Sequence, residues 1–364
     1  MPYSEKLNIR SLQRLFDNMS ECYKLFWFQA VVDAVLEDNL TPTYDHLINC
    51  MVADAWYMVG EFRLNLGPND TLENLVKDAI QVTGKRSTEK RELIISTMEK
   101  EKDQELLRKK KILTLNVPYR LQAPFLTQLK GRKWEKSLKT LAENINSYEG
   151  LIYRFSDISG LNTRIQINEE WAEYIKINSE IIRGWIQYNL ILYLQRRNPG
   201  VPGIPSKISY PRERKLTIVT QFWKAVMDCI PVYEIYGDEL LDKKDVSIDH
   251  FVPWSYVTHD ELWNLSPTTR RINSSKSNHL PDWDSYFPKL SELEYRAFEL
   301  TWEKPGLQRF FQKCLDEHVN DSEAFRRIYR ADILKDEFFH GLEDMISPVY
   351  KGAMNLGFDR WRLA

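Results

Sequence analysis

The chain has 364 residues, of which 43% are hydrophobic and 28% charged, and its formal net charge is −2. This is the composition of an ordinary globular chain with room for two or three domains. Its slightly acidic balance excludes a globally basic nucleic-acid binder, so any such surface must be a local patch. No run of roughly 18 apolar residues offers a membrane span. Met1 to Arg10 is polar and lacks the apolar stretch of a signal peptide. Cys22, Cys50, Cys229 and Cys314 are scattered, which suits a reducing cytoplasm and excludes a zinc ribbon built on paired cysteines. Neither a Walker A loop nor a Rossmann glycine fingerprint is present, so ATP hydrolysis by this chain is not expected.

From the N-terminus the pattern is helical. Leu12, Leu15, Phe16, Met19, Cys22, Phe26, Ala30, Val31 and Val35 recur at helical spacing and predict a helix over 12–36. A second such run covers Tyr44 to Leu64. Asn69 or Asp70 can cap a third, ending at Gly84. Residues 87–111 are densely charged and read as a solvated helix; its basic end, Arg108 to Lys111, can also touch phosphates. Pro118 to Phe125 marks a break. Glu169 to Arg197 is the longest periodic segment and predicts one mostly buried helix, tolerating Gly184 and stopping at Asn198-Pro199-Gly200. Residues 201–211, with Pro202, Gly203, Pro205 and Pro211, read as a linker. The basic run Arg212-Glu213-Arg214-Lys215 then leads into a helix over 216–230. Helical patterns return over 290–301, 305–318, 321–339 and 340–356, the third capped by Asn320 or Asp321. The aromatic tail Gly357-Phe358-Asp359-Arg360-Trp361 is expected to dock on the body.

Between these helical regions lies the most informative stretch. Asp249-His250-Phe251-Val252-Pro253 is followed by Trp263-Asn264-Leu265 and by Asn273-Ser274-Ser275-Lys276-Ser277-Asn278. Val246-Ser247-Ile248 alternates as a half-buried strand does and would deliver Asp249 and His250 to its end. Neighbouring strand residues point to opposite faces, so the two side chains can take different tasks. Pro253 ends the ladder, because it has no N–H to donate. Residues 254–263 make a loop, Asn264 to Pro267 the return strand, and Thr268 or Thr269 can cap a helix that begins near Arg270 and carries Asn273. Hydrolysis of a phosphodiester needs a base for water and a cation to hold the phosphate. Carboxylate, carboxamide and water oxygens suit Mg²⁺, or Mn²⁺ in its place.

In order and register these residues resemble the HNH nuclease motif, the ββα-metal hairpin, in the His-Asn-Asn form found in CRISPR effector nucleases. The resemblance implies that His250 is the general base, that Asp249 and Asn273 hold the metal, that Asn264 braces the loop carrying His250, and that Lys276 steadies charge on the phosphate. His279 and His259 are expected to be non-catalytic, and Trp254 is a minor candidate for substrate contact. Many HNH proteins brace the hairpin with zinc. Here apolar packing by Phe251, Tyr256, Leu262, Trp263, Leu265, Trp283, Tyr286 and Phe287 must do so. More loosely, the pattern of the chain resembles stand-alone bacterial HNH endonucleases of phage-defence and restriction loci.

The expected architecture is mainly α with a small α+β insert. A helical part over 1–205 binds a partner protein or DNA, an HNH nuclease core occupies 212–290, and a helical cap covers 291–364. Arg270 and Arg271, with Arg212, Arg214 and Lys215, are expected to form a basic rim for nucleic acid. DNA is the expected substrate. RNA remains an alternative, since the chemistry needs no 2′-hydroxyl, as does a non-catalytic binding protein with a relic hairpin.

Overall fold

Asp70 shows how the local signals act: its side chain accepts the backbone N–H of Glu73 at 2.8 Å and starts a helix that ends where Gly84 turns left-handed, at φ +63°. In the computed structural model, which describes every residue except 18, 69, 130–133, 135, 210–215 and 364, the chain divides into two units. One comprises Met1–Pro199 with Ile204–Pro211, the other Gly200–Gly203 with Arg212–Ala364.

The first unit is helical. It runs α1 Ile9–Gln13, α2 Tyr23–Leu36, α3 Tyr44–Gly60, α4 Thr71–Thr83, α5 Arg91–Lys100, α6 Gln104–Leu113, α7 Val117–Arg120, α8 Leu138–Asn146, α9 Glu169–Ile177 and α10 Ser179–Arg197. Helices α2 and α3 form its centre, with Trp27, Phe28, Leu47, Met51 and Trp56 out of water. A small antiparallel pair, β1 Tyr153–Ser156 with β2 Arg164–Ile167, lies between α8 and α9. Three expectations are corrected here. The run over 12–36 is two helices. The charged stretch 87–111 is also two, divided where Asp103 caps α6 by accepting the N–H groups of Glu105 and Leu106. The long segment 169–197 breaks at Asn178, whose side-chain amide donates to the Tyr174 carbonyl at 2.9 Å. Such local bonding competes with helix continuation.

The second unit holds α11 Thr217–Cys229, β3 Val246–His250, α12 Trp254–Val257, β4 Leu265–Thr269, α13 Arg270–Lys276, β5 Leu280–Pro281, α14 Trp283–Glu303, α15 Pro305–His318, α16 Ser322–Arg327, α17 Lys335–Asn355 and β6 Arg360–Trp361. One continuous apolar cluster runs from Val219 on α11 through Phe251, Leu265 and Ile272 to Phe311, Leu342 and Phe358. Residues 291–364 therefore share their core with the hairpin. The helix boundary expected at 339/340 lies earlier. Asp332 adopts φ +59° and Leu334 is extended, so the last long helix starts at Lys335. The aromatic tail docks as β6, which pairs in parallel with β5. The fold is mainly α with a few two-stranded sheets.

Candidate active site

Strand β3 pairs antiparallel with β4, Asp249 opposite Ser266 and His250 opposite Leu265. The ladder closes with the Phe251 N–H donating to the Asn264 carbonyl at 2.9 Å, two residues before Pro253. Thr269 ends β4 and caps α13, its hydroxyl accepting the Ile272 N–H at 3.2 Å. The order strand, strand, helix follows directly from the apolar–polar alternation and the threonine cap. It brings the N-terminal turns of α13 back across β3.

Each candidate residue has a definite place. Asn264 is fully buried. Its Oδ1 accepts the Val252 N–H at 2.8 Å and its Nδ2 donates to the Val252 carbonyl at 3.0 Å. One side chain thus satisfies both main-chain groups of Val252, just past His250. Asn273 donates Nδ2 to the Ser247 hydroxyl at 2.8 Å and to the Ile248 carbonyl at 3.0 Å. This fixes the carboxamide over the strand residues that precede Asp249 and turns Oδ1 away from them. Asp249 is 4% exposed. Its Oδ2 accepts the Tyr236 hydroxyl at 2.6 Å. Burial, then the charge of Asp249, holds that phenol well above its ordinary range, so it stays a donor.

Lys276 is fully buried, its Nζ pairs with Asp249 at 3.1 Å, and it donates to the His250 carbonyl at 2.7 Å. In this structure the ammonium is engaged at the strand end and turned away from solvent. Burial lowers its pKa, and the adjacent Asp249 carboxylate counters that shift.

His250 is also almost closed off, its side chain 5% exposed. Its Nε2 lies 2.7 Å from Asp260 Oδ1. Asp260 sits in the loop between α12 and β4, and three hydrogen bonds tie that loop to the end of α15 and the residues just after it. His318 Nδ1 lies 3.0 Å from the Asp260 carbonyl, and Glu261 Oε1 accepts both the N–H and the side-chain amide of Asn320. Asp260, Tyr236 and His318 were not singled out in the sequence. Asp260 did offer a signal, as an acidic residue in the loop opposite His250; Tyr236 and His318 offered none.

Two arginines of the expected rim are exposed and ion-paired, Arg270 with Asp245 at 3.8 Å and Arg271 with Glu239 at 2.9 Å. Arg212, Arg214 and Lys215 lie outside the described residues. His279 turns Nδ1 to the Lys276 carbonyl at 2.8 Å, and the His259 ring packs on Trp263. Three of the four basic residues at the end of α6 are ion-paired within their own unit: Arg108 bonds Glu105, Lys109 bonds Asp78, and the buried Lys110 bonds Asp45.

Apolar packing surrounds the hairpin. Phe251 packs edge-on against Trp283 and Phe287, which stack on each other at 4.2 Å. Tyr236 packs against Tyr286 and Trp361. Among the described residues, no group of three or more His, Cys, Asp or Glu side chains could hold a metal ion. A site built from one carboxylate and one carboxamide must be sparse and largely hydrated. That fits a hard divalent cation, which keeps most of its waters.

Residues 233–282 match the family model for HNH endonucleases. The match covers β3, β4 and α13 with the approach to them. Comparisons with curated proteins and with solved structures gave no match.

Proposed function

We propose that the HNH endonuclease domain at residues 233–282 makes this chain a phosphodiester hydrolase that depends on a divalent cation, Mg²⁺ or Mn²⁺, and acts on DNA. The observation that carries this reading is the strand end that presents Asp249 and His250 together, with Asn273 fixed beside it and Asp260 against the histidine ring. Asp249 and the Oδ1 of Asn273 would hold the cation, which supplies Lewis-acid stabilisation of the phosphate and of the leaving oxygen. His250 takes the proton of the attacking water. With Nε2 facing Asp260, the accepting atom is Nδ1, and the carboxylate favours the imidazolium that forms. Lys276 holds the His250 carbonyl, and Asn264 holds the Val252 N–H and carbonyl just past it. Asp260 is a positioning residue, as is Tyr236.

Nucleic acid is proposed to lie along the exposed Arg270 and Arg271 at the start of α13, with Arg212, Arg214 and Lys215 as further contacts. A role in phage defence or restriction, in the cytoplasm, rests on the wider resemblance of the chain to stand-alone bacterial HNH endonucleases.

The test is a cleavage assay on plasmid, single-stranded DNA and RNA with Mg²⁺, Mn²⁺ or EDTA. Wild type should cut DNA only with the cation, and His250→Ala should be slower by roughly 10²–10⁴-fold. Cleavage by wild type in excess EDTA, or undiminished cleavage by His250→Ala, overturns the assignment. Calorimetric metal titration separates the roles: Asp249→Ala and Asn273→Ala should lose affinity, while Asn264→Ala keeps it. On duplex DNA, Arg270→Ala/Arg271→Ala in the His250→Ala background should bind more weakly and with a shallower salt slope, by about 0.9 for each phosphate no longer neutralised.

A further inference from the structure

Helix α10 buries one face and leaves an apolar stripe on the other. Ile182, Ile186, Leu190, Tyr193 and Leu194 point inward. On the opposite side Ile181 is 52%, Tyr188 60% and Leu192 46% exposed, and Ile177 at the end of α9 is 74% exposed. Gly184 lies in the same row, and nothing stands within 4 Å of where its Cβ would be. Within α10, Ile181, Gly184, Tyr188 and Leu192 recur at helical spacing, so they form one stripe rather than scattered exposed side chains.

The stripe is self-complementary. Gly184 and Leu192 lie about one turn on either side of Tyr188, and Glu180 and Arg196 about two turns on either side. If a second α10 is laid antiparallel, with a two-fold axis at Tyr188, the register is fixed. Tyr188 meets its own copy, each Leu192 projects onto the partner's bare Gly184 backbone, and each Glu180 meets an Arg196. Among the described residues, neither Glu180 nor Arg196 makes an ion pair within the chain, and both are exposed. A knob placed over a glycine gap and charges that match only in the antiparallel sense are what an isologous contact requires. A parallel pairing would set Glu180 against Glu180 and Arg196 against Arg196.

We propose that this face of α10 is a homodimer interface, occupied by the α10 of a second copy in the antiparallel register centred on Tyr188. The pairing does not depend on the activity of the hairpin. A single helix pair is a small interface, so the association should be concentration-dependent, with a dissociation constant on the order of micromolar.

The experiment is analytical ultracentrifugation of the full chain across that concentration range, without nucleic acid. Wild type should pass from monomer to dimer. Gly184→Glu fills the gap with a side chain whose Cβ meets nothing within 4 Å in its own protomer, so it should leave the melting temperature unchanged or higher and abolish the dimer. Tyr188→Glu should abolish it too. Glu180→Arg and Arg196→Glu should each weaken the dimer several-fold, and the two together should restore it. A protein that stays monomeric throughout overturns the proposal. So does a dimer indifferent to Gly184→Glu and Tyr188→Glu, or a double reversal no tighter than its single parents.

Discussion

Lys276→Met removes the cation from a pair almost wholly out of water, with Lys276 at 0% and Asp249 at 4% exposure. Asp249 keeps the Tyr236 hydroxyl, but the His250 carbonyl loses its 2.7 Å donor and the carboxylate loses its counter-charge. Breaking a buried pair from one side costs roughly 3–5 kcal/mol, because the remaining charge is uncompensated. For a unit of this size each kcal/mol moves the melting temperature by about 2–4 °C, so a fall of about 6–20 °C is expected. Removing both charges in Asp249→Leu/Lys276→Met should recover most of that loss, since apolar replacement of a whole buried pair is often neutral. Thermal and urea unfolding of the two single variants and the double variant, all in EDTA, closes the cycle independently of metal binding. A loss below about 1 kcal/mol for Lys276→Met, the range of an exposed pair, would refute the buried-pair argument. So would a double variant as unstable as the sum of its parents.

Three further outcomes follow from the geometry. Asp260→Ala should lower kcat while leaving substrate affinity unchanged, and Asp260→Glu should recover part of the rate; an unaltered kcat would remove Asp260 from the site. Asn264→Ala leaves the Val252 N–H and carbonyl unpaired at a buried position, at about 1–3 kcal/mol for each group, so it should be less stable and should speed amide exchange at Val252; exchange at the wild-type rate would contradict the bracing role. Burial, then Glu21 and Glu73, raises the Asp70 carboxyl to about 6 from its ordinary value of 3.8. A raised folded pKa gives stability that is full below about pH 4 and lost as pH rises through about 6. Asp70→Asn keeps a capping oxygen, so its stability relative to wild type should rise between pH 4 and pH 7 in urea titrations, and a constant difference would count against the shift.

What could be read in the sequence divides along physical lines. The hairpin was legible because its alternation, its proline stop and its threonine cap are all local. The core role of Phe251, Trp263 and Leu265 was legible because hydrophobicity alone fixes it. Breaks within helical runs were not, because Asn178 and Asp103 interrupt the helix by bonding to nearby backbone while the apolar spacing continues past them. The pair β1 and β2 was missed although Tyr153–Ser156 and Arg164–Ile167 both alternate in burial. The strands are short, and the left-handed Asp157 and Gly160 between them carry the turn. At the site, Asn264 was placed by its spacing from His250. Lys276 was not, since nothing local says whether a lysine on a short helix points to solvent or into the strand beneath it.

The buried lysine also bears on how the hairpin is held. Its fixation is spread over two layers. Beneath the strands, Phe251, Trp283 and Phe287 exclude water. At their ends, Lys276 joins Asp249 to the His250 carbonyl, and Asn264 joins both sides of Val252. Tyr236 links the layers, its ring against Tyr286 and Trp361 and its hydroxyl on Asp249. The polar residues at the strand end are thus held by groups that are themselves packed in the core. The C-terminal strand β6, far along the chain, reaches the carboxylate through a single aromatic side chain.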